Sequence, residues 1–334
     1  MKLLFSAYSQ AITSFFYIAI VLVVYLEIKK NAQLEESWLG FLRNSINTHL
    51  YYVLLYGLIA GLVLSFLMFI FNITIDQNMV IIIWSLSFFL MLFNKRYLCL
   101  AYSIGIISFS SLFFKWPKTD VSSLILLVGM LHLVKSLLIL VDGSRDSIPV
   151  HIEHKDLTPA GAYIMRKMWP IPLVTLLTPG QIVFPIVTAL IYEDEGISQT
   201  PYKRARESSF WTCLYGLIIS ILAIVSFRVV WLQYVLAVAT PILHELLIIW
   251  TRKSQLMKRP AFIAPWRGIR ILEVLPEGIG HNMGLKQGDI ILSINGKQLN
   301  SETMLDEILE GHPTFIWIMV MRDNEKEIEL EYRD

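Results

Sequence analysis

Val121-Ser-Ser-Leu-Ile-Leu-Leu-Val-Gly-Met-Leu-His-Leu-Val-Lys-Ser-Leu-Leu-Ile-Leu-Val141 decides how this chain is read. Its ionisable groups are one histidine and one lysine, His132 and Lys135. A helix rises 1.5 Å per residue, so about twenty apolar residues match the hydrocarbon thickness of a bilayer. This block is a candidate transmembrane helix.

Similar blocks lie on both sides of it. Upstream are Phe5 to Tyr25, Tyr51 to Phe71, and two shorter runs, Met79 to Phe93 and Tyr97 to Phe114, separated by Asn94-Lys95-Arg96. The short pair predicts a tight helical hairpin. No small-residue cleavage site follows the first run, which reads as an uncleaved helix. Between the first two runs, Glu27 to Asn47 carries Leu34, Trp38, Phe41 and Leu42 among charges, the pattern of a helix lying at the interface. Downstream, a charged loop from Asp142 to Lys167 leads to a sixth run, Trp169 to Tyr192, and then to Phe210–Phe227 and Val229–Trp250. The sixth contains Pro170, Pro172, Pro179, Gly180 and Pro185. Each proline removes a backbone donor, so this span must be kinked, packed against neighbours or re-entrant. The expectation is a membrane α-helical bundle of about eight transmembrane helices over residues 1–258, seven being the alternative, with the lipid bilayer as its surroundings.

Composition agrees. Of the 334 residues, 55% are hydrophobic and 16% charged, with a mean hydropathy of +0.58. A water-soluble surface needs about a quarter charged residues. A net charge of +1 supplies no field for nucleic acid. Cys99 and Cys213 lie in apolar runs and read as buried, inert thiols. Lysines and arginines divide evenly between the two sides of the eight-span arrangement when the tail after the last run is counted. The cluster Arg252, Lys253, Lys258 and Arg259 after the last run favours a cytoplasmic C-terminal domain.

That second domain, residues 259–334, has another texture. Gly268 to Leu275 alternates loosely like a strand, and Pro276 to Gly280 is a turn cluster. Met283 to Gly296 predicts a turn, a strand and an Asn-Gly turn. Ser301 suits the N-cap of a helix over Glu302 to Glu310, closed by Gly311. Strands follow at Thr314 to Met321 and Glu327 to Tyr332, joined by a polar turn from Arg322.

Gly284-Leu285, Gly288-Asp289, Asn295-Gly296 and the helix after them resemble the bacterial form of the PDZ domain, a small α+β module. Gly278-Ile-Gly-His281 departs from the family's usual Ser-Pro-Ala there. The resemblance implies peptide binding by strand addition. Trp266, Arg267, Gly268 and Ile269 would form the loop receiving a peptide carboxylate, Ile269 to Ile271 the edge, and Met304 and Ile308 the pocket. Leu305 and Leu309 are the alternative face, and all these apolar residues could instead be core.

Other chemistry is thinner. His132, Lys135, His244 and Glu245 are ionisable groups inside apolar runs, costly unless paired and so functional candidates. A Lys135–Glu245 pair fits in depth only if the sixth run is re-entrant. Intramembrane site-2 metalloproteases carry His-Glu-x-x-His, a zinc-binding helix. This chain reads His244-Glu-Leu-Leu-Ile248, and its Val141-Asp-Gly143, the counterpart of those proteases' Leu-Asp-Gly segment, comes before that helix in sequence where theirs comes after. One ligand does not hold a catalytic zinc, so no metal site or cofactor is expected. His151-Ile-Glu-His154 fits no metal spacing.

Leu131 to Ile139, Ser147 to Val150, Trp169 to Leu173 and His244-Glu245, together with the architecture, resemble the MinJ family of division-site topological determinants. That resemblance implies a non-catalytic scaffold that recruits division-site proteins. The alternatives are a transporter regulated by its PDZ domain and a degenerate relative of the intramembrane metalloproteases.

Overall fold

The computed structural model describes residues 2–153, 158–176, 183–299, 302–310, 315–322 and 326–333. Ser301, Gly311, Pro179, Gly180, His154, Thr314 and the turn after Arg322 lie outside them.

The chain opens with α1 (Lys2–Thr13) and α2 (Phe15–Leu39), set at 54° to each other across Ser14. Ser14 caps α2 through its hydroxyl, which accepts from the Tyr17 amide. The expected first span is thus a bent pair. The expected interfacial helix does not exist separately, because α2 runs on through Leu34 and Trp38 to Gly40, whose φ of +78° ends it. Next come α3 (Ile46–Ile70), α4 (Gln77–Met91), a short 3-10 turn at Lys95–Leu98, α5 (Leu100–Phe114) and α6 (Val121–Asp142). The α4–α5 pair is the expected hairpin of short helices.

Then the structure departs from expectation. The segment from Asp142 to Lys167, expected as loop, builds β1 (Ile148–Glu153) and the start of β2 (Pro159–Leu176). The expected sixth helix is instead the rest of β2 and β3 (Val183–Gly196), a long antiparallel hairpin paired from Tyr163↔Gly196 to Leu176↔Val183. The prolines explain why. Pro170 and Pro172 are two apart, the period of a strand, and Pro185 stands opposite Val174. The amide of Val174, on the same parity, points away from β3 and donates to Ser65 Oγ of α3 at 2.9 Å. All three prolines therefore occupy positions whose backbone nitrogens face away from the partner strand, where no ladder bond is lost. The outward edge is covered by α3. A Cβ added at Gly57 or Gly61 would lie 2.3 Å from the Pro170 carbonyl oxygen or 1.9 Å from that of Pro172. Two glycines of α3 thus let the strand edge press against the helix.

After the hairpin, α7 (Pro201–Ser226) and α8 (Val230–Met257) complete the helical part. Arg204 of α7 is buried against Asp194 of β3, donating through Nε at 3.0 Å and Nη2 at 2.8 Å. Among the described residues, α3, α6, α7 and α8 are long and apolar enough to cross a membrane, and α1 with α2 is a fifth if the bent pair counts as one. α4 and α5 have 15 residues each. The most enclosed helix is α6, whose packing face continues into the largest apolar cluster of the molecule.

The chain then lays β4 (Phe262–Ile263) against β2 before entering its last domain. There β5 (Ile269–Arg270), α9 (Ile279–Asn282), β6 (Ile290–Ile294), β7 (Lys297–Gln298), α10 (Glu302–Leu309), β8 (Phe315–Arg322) and β9 (Lys326–Arg333) follow in order. The sheet runs β5-β6-β8-β9, with β7 paired to β6. Asn295 and Gly296, both at positive φ (48° and 77°), make the expected turn between β6 and β7. The strand expected from Gly268 to Leu275 is confined to Ile269–Arg270, although Ile271 still donates to the Asp289 carbonyl at 2.8 Å.

Candidate functional site

Two places gather the residues singled out from the sequence. The first is the open end of the C-terminal sheet. Gly268 has φ +82°, and a Cβ there would meet the Ile291 carbonyl oxygen at 2.4 Å. Only glycine fits both demands. Trp266 before it is 94% exposed, and Arg267 is exposed as well. β5 ends the sheet and pairs with β6 alone among the described residues. Ile269, Ile271, Met304, Leu305 and Ile308 all pack partly buried on one cluster made by Met283, Ile291, Ile294, Leu299, Ile316, Ile318 and Val320. Met304 and Ile308 therefore serve the core and retain a partly open face. The side chain of Leu309 lies outside the described residues.

The ladder narrows the expected edge, Ile269 to Ile271. Ile271 turns its amide and carbonyl toward Asp289 and Gly288. By alternation, the outward backbone groups belong to Arg270 and Leu272. The Leu272 carbonyl is already engaged, accepting from the Tyr163 hydroxyl of β2 at 2.5 Å. That hydroxyl in turn accepts from Gln287 at 2.6 Å, and burial with the nearby Glu273 carboxylate pushes its pKa up. Arg270 donates to the Ile263 carbonyl of β4 at 3.0 Å. The C-terminal domain thus docks on the hairpin beside its own edge strand. Asp289, one of the landmark residues, is buried and accepts from the Lys286 amide and from both arms of Arg322, at 2.9 and 2.7 Å.

The second place is among the helices. His132 of α6 and His244 of α8, both buried, lie with ring centroids 5.0 Å apart. Cys99, the residue that opens α5, meets both, its sulfur 3.7 Å from His132 Nε2 and 3.6 Å from His244 Nε2. The expected inert thiol is the hub of this cluster, whereas Cys213, expected buried, is exposed on α7. Glu245 does not pair with Lys135. Its carboxylate accepts from the Tyr102 hydroxyl at 2.6 Å and lies 3.0 Å from Arg96. Lys135 instead lines a cavity of about 420 Å³ that also touches Cys99, His132, His244, Glu193 and Asp194. His151 and Glu153 stand exposed on β1, away from this cluster. The sequence signal for Cys99 was absent, because its partners lie 33 and 145 positions away.

A largely helical chain rich in apolar helices, followed by a five-stranded sheet with β5 at its end, is a membrane-compatible protein that carries a separate sheet-containing module. The comparisons with known proteins give that module its class. A family model described as PDZ domain matches residues 270–319, so the protein contains a PDZ domain, and with it a module for protein–protein interaction. Serine protease HTRA1 of Xenopus tropicalis is 36% identical over 58 residues, covering 17% of this chain and 13% of that protein. The likeness is confined to a small part of either chain.

Proposed function

We propose that this chain is a membrane-embedded adaptor that recruits protein partners through a cytoplasmic PDZ domain and performs no catalysis. The observation that supports it is the end position of β5, with the half-buried Met304 and Ile308 on the same cluster as Ile269 and Ile271. An extended peptide added there would pair with main chain and place alternate side chains against α10. Anchoring such a reader in the bilayer raises its effective concentration for partners at the membrane. The cluster of Arg252, Lys253, Lys258 and Arg259 favours the cytoplasmic side. The resemblance to the MinJ family names division-site proteins as the first partners to look for.

The test is crosslinking in intact membranes, comparing the full chain with one ending after Ala264, which keeps β4. Loss of a defined partner set with unchanged membrane insertion supports the adaptor. An unchanged set refutes it.

The transporter reading has one observation in its favour, the polar cavity beside Lys135 and the two histidines. Discontinuous helices often line transport sites, but the proline-rich run that would have supplied one is a β-hairpin. Function that survives truncation after Ala264 but is lost on Lys135→Met would select this reading. A metalloprotease relative fares worse, since Glu245 is held by Tyr102 and Arg96.

A further inference from the structure

Counting protons around Cys99 leaves the cluster one donor short. His132 Nδ1 lies 2.8 Å from the Val128 carbonyl oxygen. A carbonyl only accepts, so Nδ1 carries the hydrogen and Nε2 of the neutral ring is a bare lone pair. His244 Nδ1 lies 3.1 Å from the Tyr102 hydroxyl oxygen. That hydroxyl gives its proton to Glu245, so its oxygen accepts and His244 Nδ1 is the donor. The second Nε2 is bare too. Both lone pairs converge on one thiol, which has one proton to offer. Either nitrogen can take it, and the other has no second protein donor among the described residues, so it is met only by what enters the adjoining cavity.

We propose that Cys99, His132 and His244 bind a soft divalent metal ion, Zn2+ above the others. Zinc bonds of about 2.3 Å to sulfur and about 2.1 Å to nitrogen, set at a tetrahedral angle, separate the two donors by about 3.6 Å. The observed separations are 3.7 and 3.6 Å. The three donor atoms all fall within 4.8 Å of one another. Thiolate with imidazole is the donor chemistry that zinc selects. The outer contacts are those of metal-bound histidines, each ring held through Nδ1, one by a carbonyl and the other by a hydroxyl backed by a carboxylate. Binding deprotonates Cys99, and the proton leaves to water through the cavity. Three protein donors would leave a fourth position for an outside ligand, and the 420 Å³ cavity that touches all three also has Lys135, Glu193 and Asp194 on its walls. A closed structural site would use four.

The site is assembled by topology. A hairpin returns the chain to the side it left, so α8 runs parallel to α6. His132 lies midway along α6 and His244 just past the middle of α8, which brings them level.

The test is metal content and cobalt spectroscopy on the full chain in detergent. Purified wild type, dialysed against Zn2+ and stripped of loose metal, should carry one zinc per chain. Co2+ added to the metal-free chain should give a thiolate-to-cobalt charge-transfer band that zinc abolishes. Cys99→Ser and His132→Gln should lose both signals while Cys213→Ser keeps them, each judged on protein that stays monodisperse. Tyr102→Phe retains all three donors and should weaken zinc binding about 10- to 100-fold. A wild-type chain that takes up no zinc and shows no cobalt band overturns the proposal without reference to any variant. That is the result expected if the cluster holds an extra proton instead. Cys99→Ser with wild-type zinc content overturns it as well.

Discussion

Gly268 and Asp289 show how single residues carry the C-terminal domain. At Gly268 a side chain meets both a left-handed backbone and the Ile291 carbonyl oxygen. Gly268→Ala should destabilise the domain by about 2 kcal/mol or more, since the alternative conformation breaks the entry to β5. Hydrogen exchange across β6 and β8 reads this directly, with faster exchange expected there and none across α6. Asp289→Ala leaves the Arg322 guanidinium without its bidentate partner and frees the turn at Lys286, a change worth about 3 kcal/mol. A denaturation midpoint unchanged from wild type would contradict it. Asp289 was legible in the sequence as half of the Gly288-Asp289 landmark, and Gly268 as part of the loop that the PDZ resemblance implies. Arg322 was not recognised as the partner of Asp289, because an ion pair across 33 positions leaves no local pattern. Cys99 escaped for the same reason.

Among the elements, the long apolar helices announced themselves by length and hydropathy, and α4 and α6 start within two residues of expectation, whereas α3 starts five residues early and α2 runs from Phe15 to Leu39 instead of Phe5 to Tyr25. Ser45 and Asp76 accept from the first-turn amides of α3 and α4. The β2–β3 hairpin was misread because hydropathy alone does not separate a buried strand from a buried helix. Length favoured the helix. The spacing of Pro170 and Pro172 was the signal that pointed the other way, together with the β-branched Val183, Ile186, Val187 and Thr188 of β3. Two consequences follow. Gly61→Val places a side chain where the Pro172 carbonyl sits and should separate α3 from the hairpin, seen as new protease cleavage within β2 or β3 that the wild type resists. Tyr163→Phe removes the hydroxyl that joins the hairpin to Leu272 and Gln287. The C-terminal domain should then undock more often, and limited proteolysis between Met257 and Gly268 should be several-fold faster. Equal rates would mean that the contact does not hold the domain.

For the whole molecule, the hairpin matters more than any single helix. It fixes α6 and α8 as parallel, brings His132 and His244 level, and offers β2 as the platform on which β4 and then the PDZ domain are seated. An adaptor built this way presents its edge strand close to the bundle, so that partner binding and docking on Tyr163 meet at neighbouring backbone groups. The most direct measurement of the adaptor claim is site-specific photocrosslinking in living cells, with the reactive side chain at Ile308 beside the edge strand or at Glu329 on the exposed face of β9. Defined partner adducts at Ile308 that vanish when Met304 is also changed to Glu, with none at Glu329, are the predicted result. The same adducts at both positions, or their persistence in the Met304→Glu chain, would contradict recruitment through the PDZ groove.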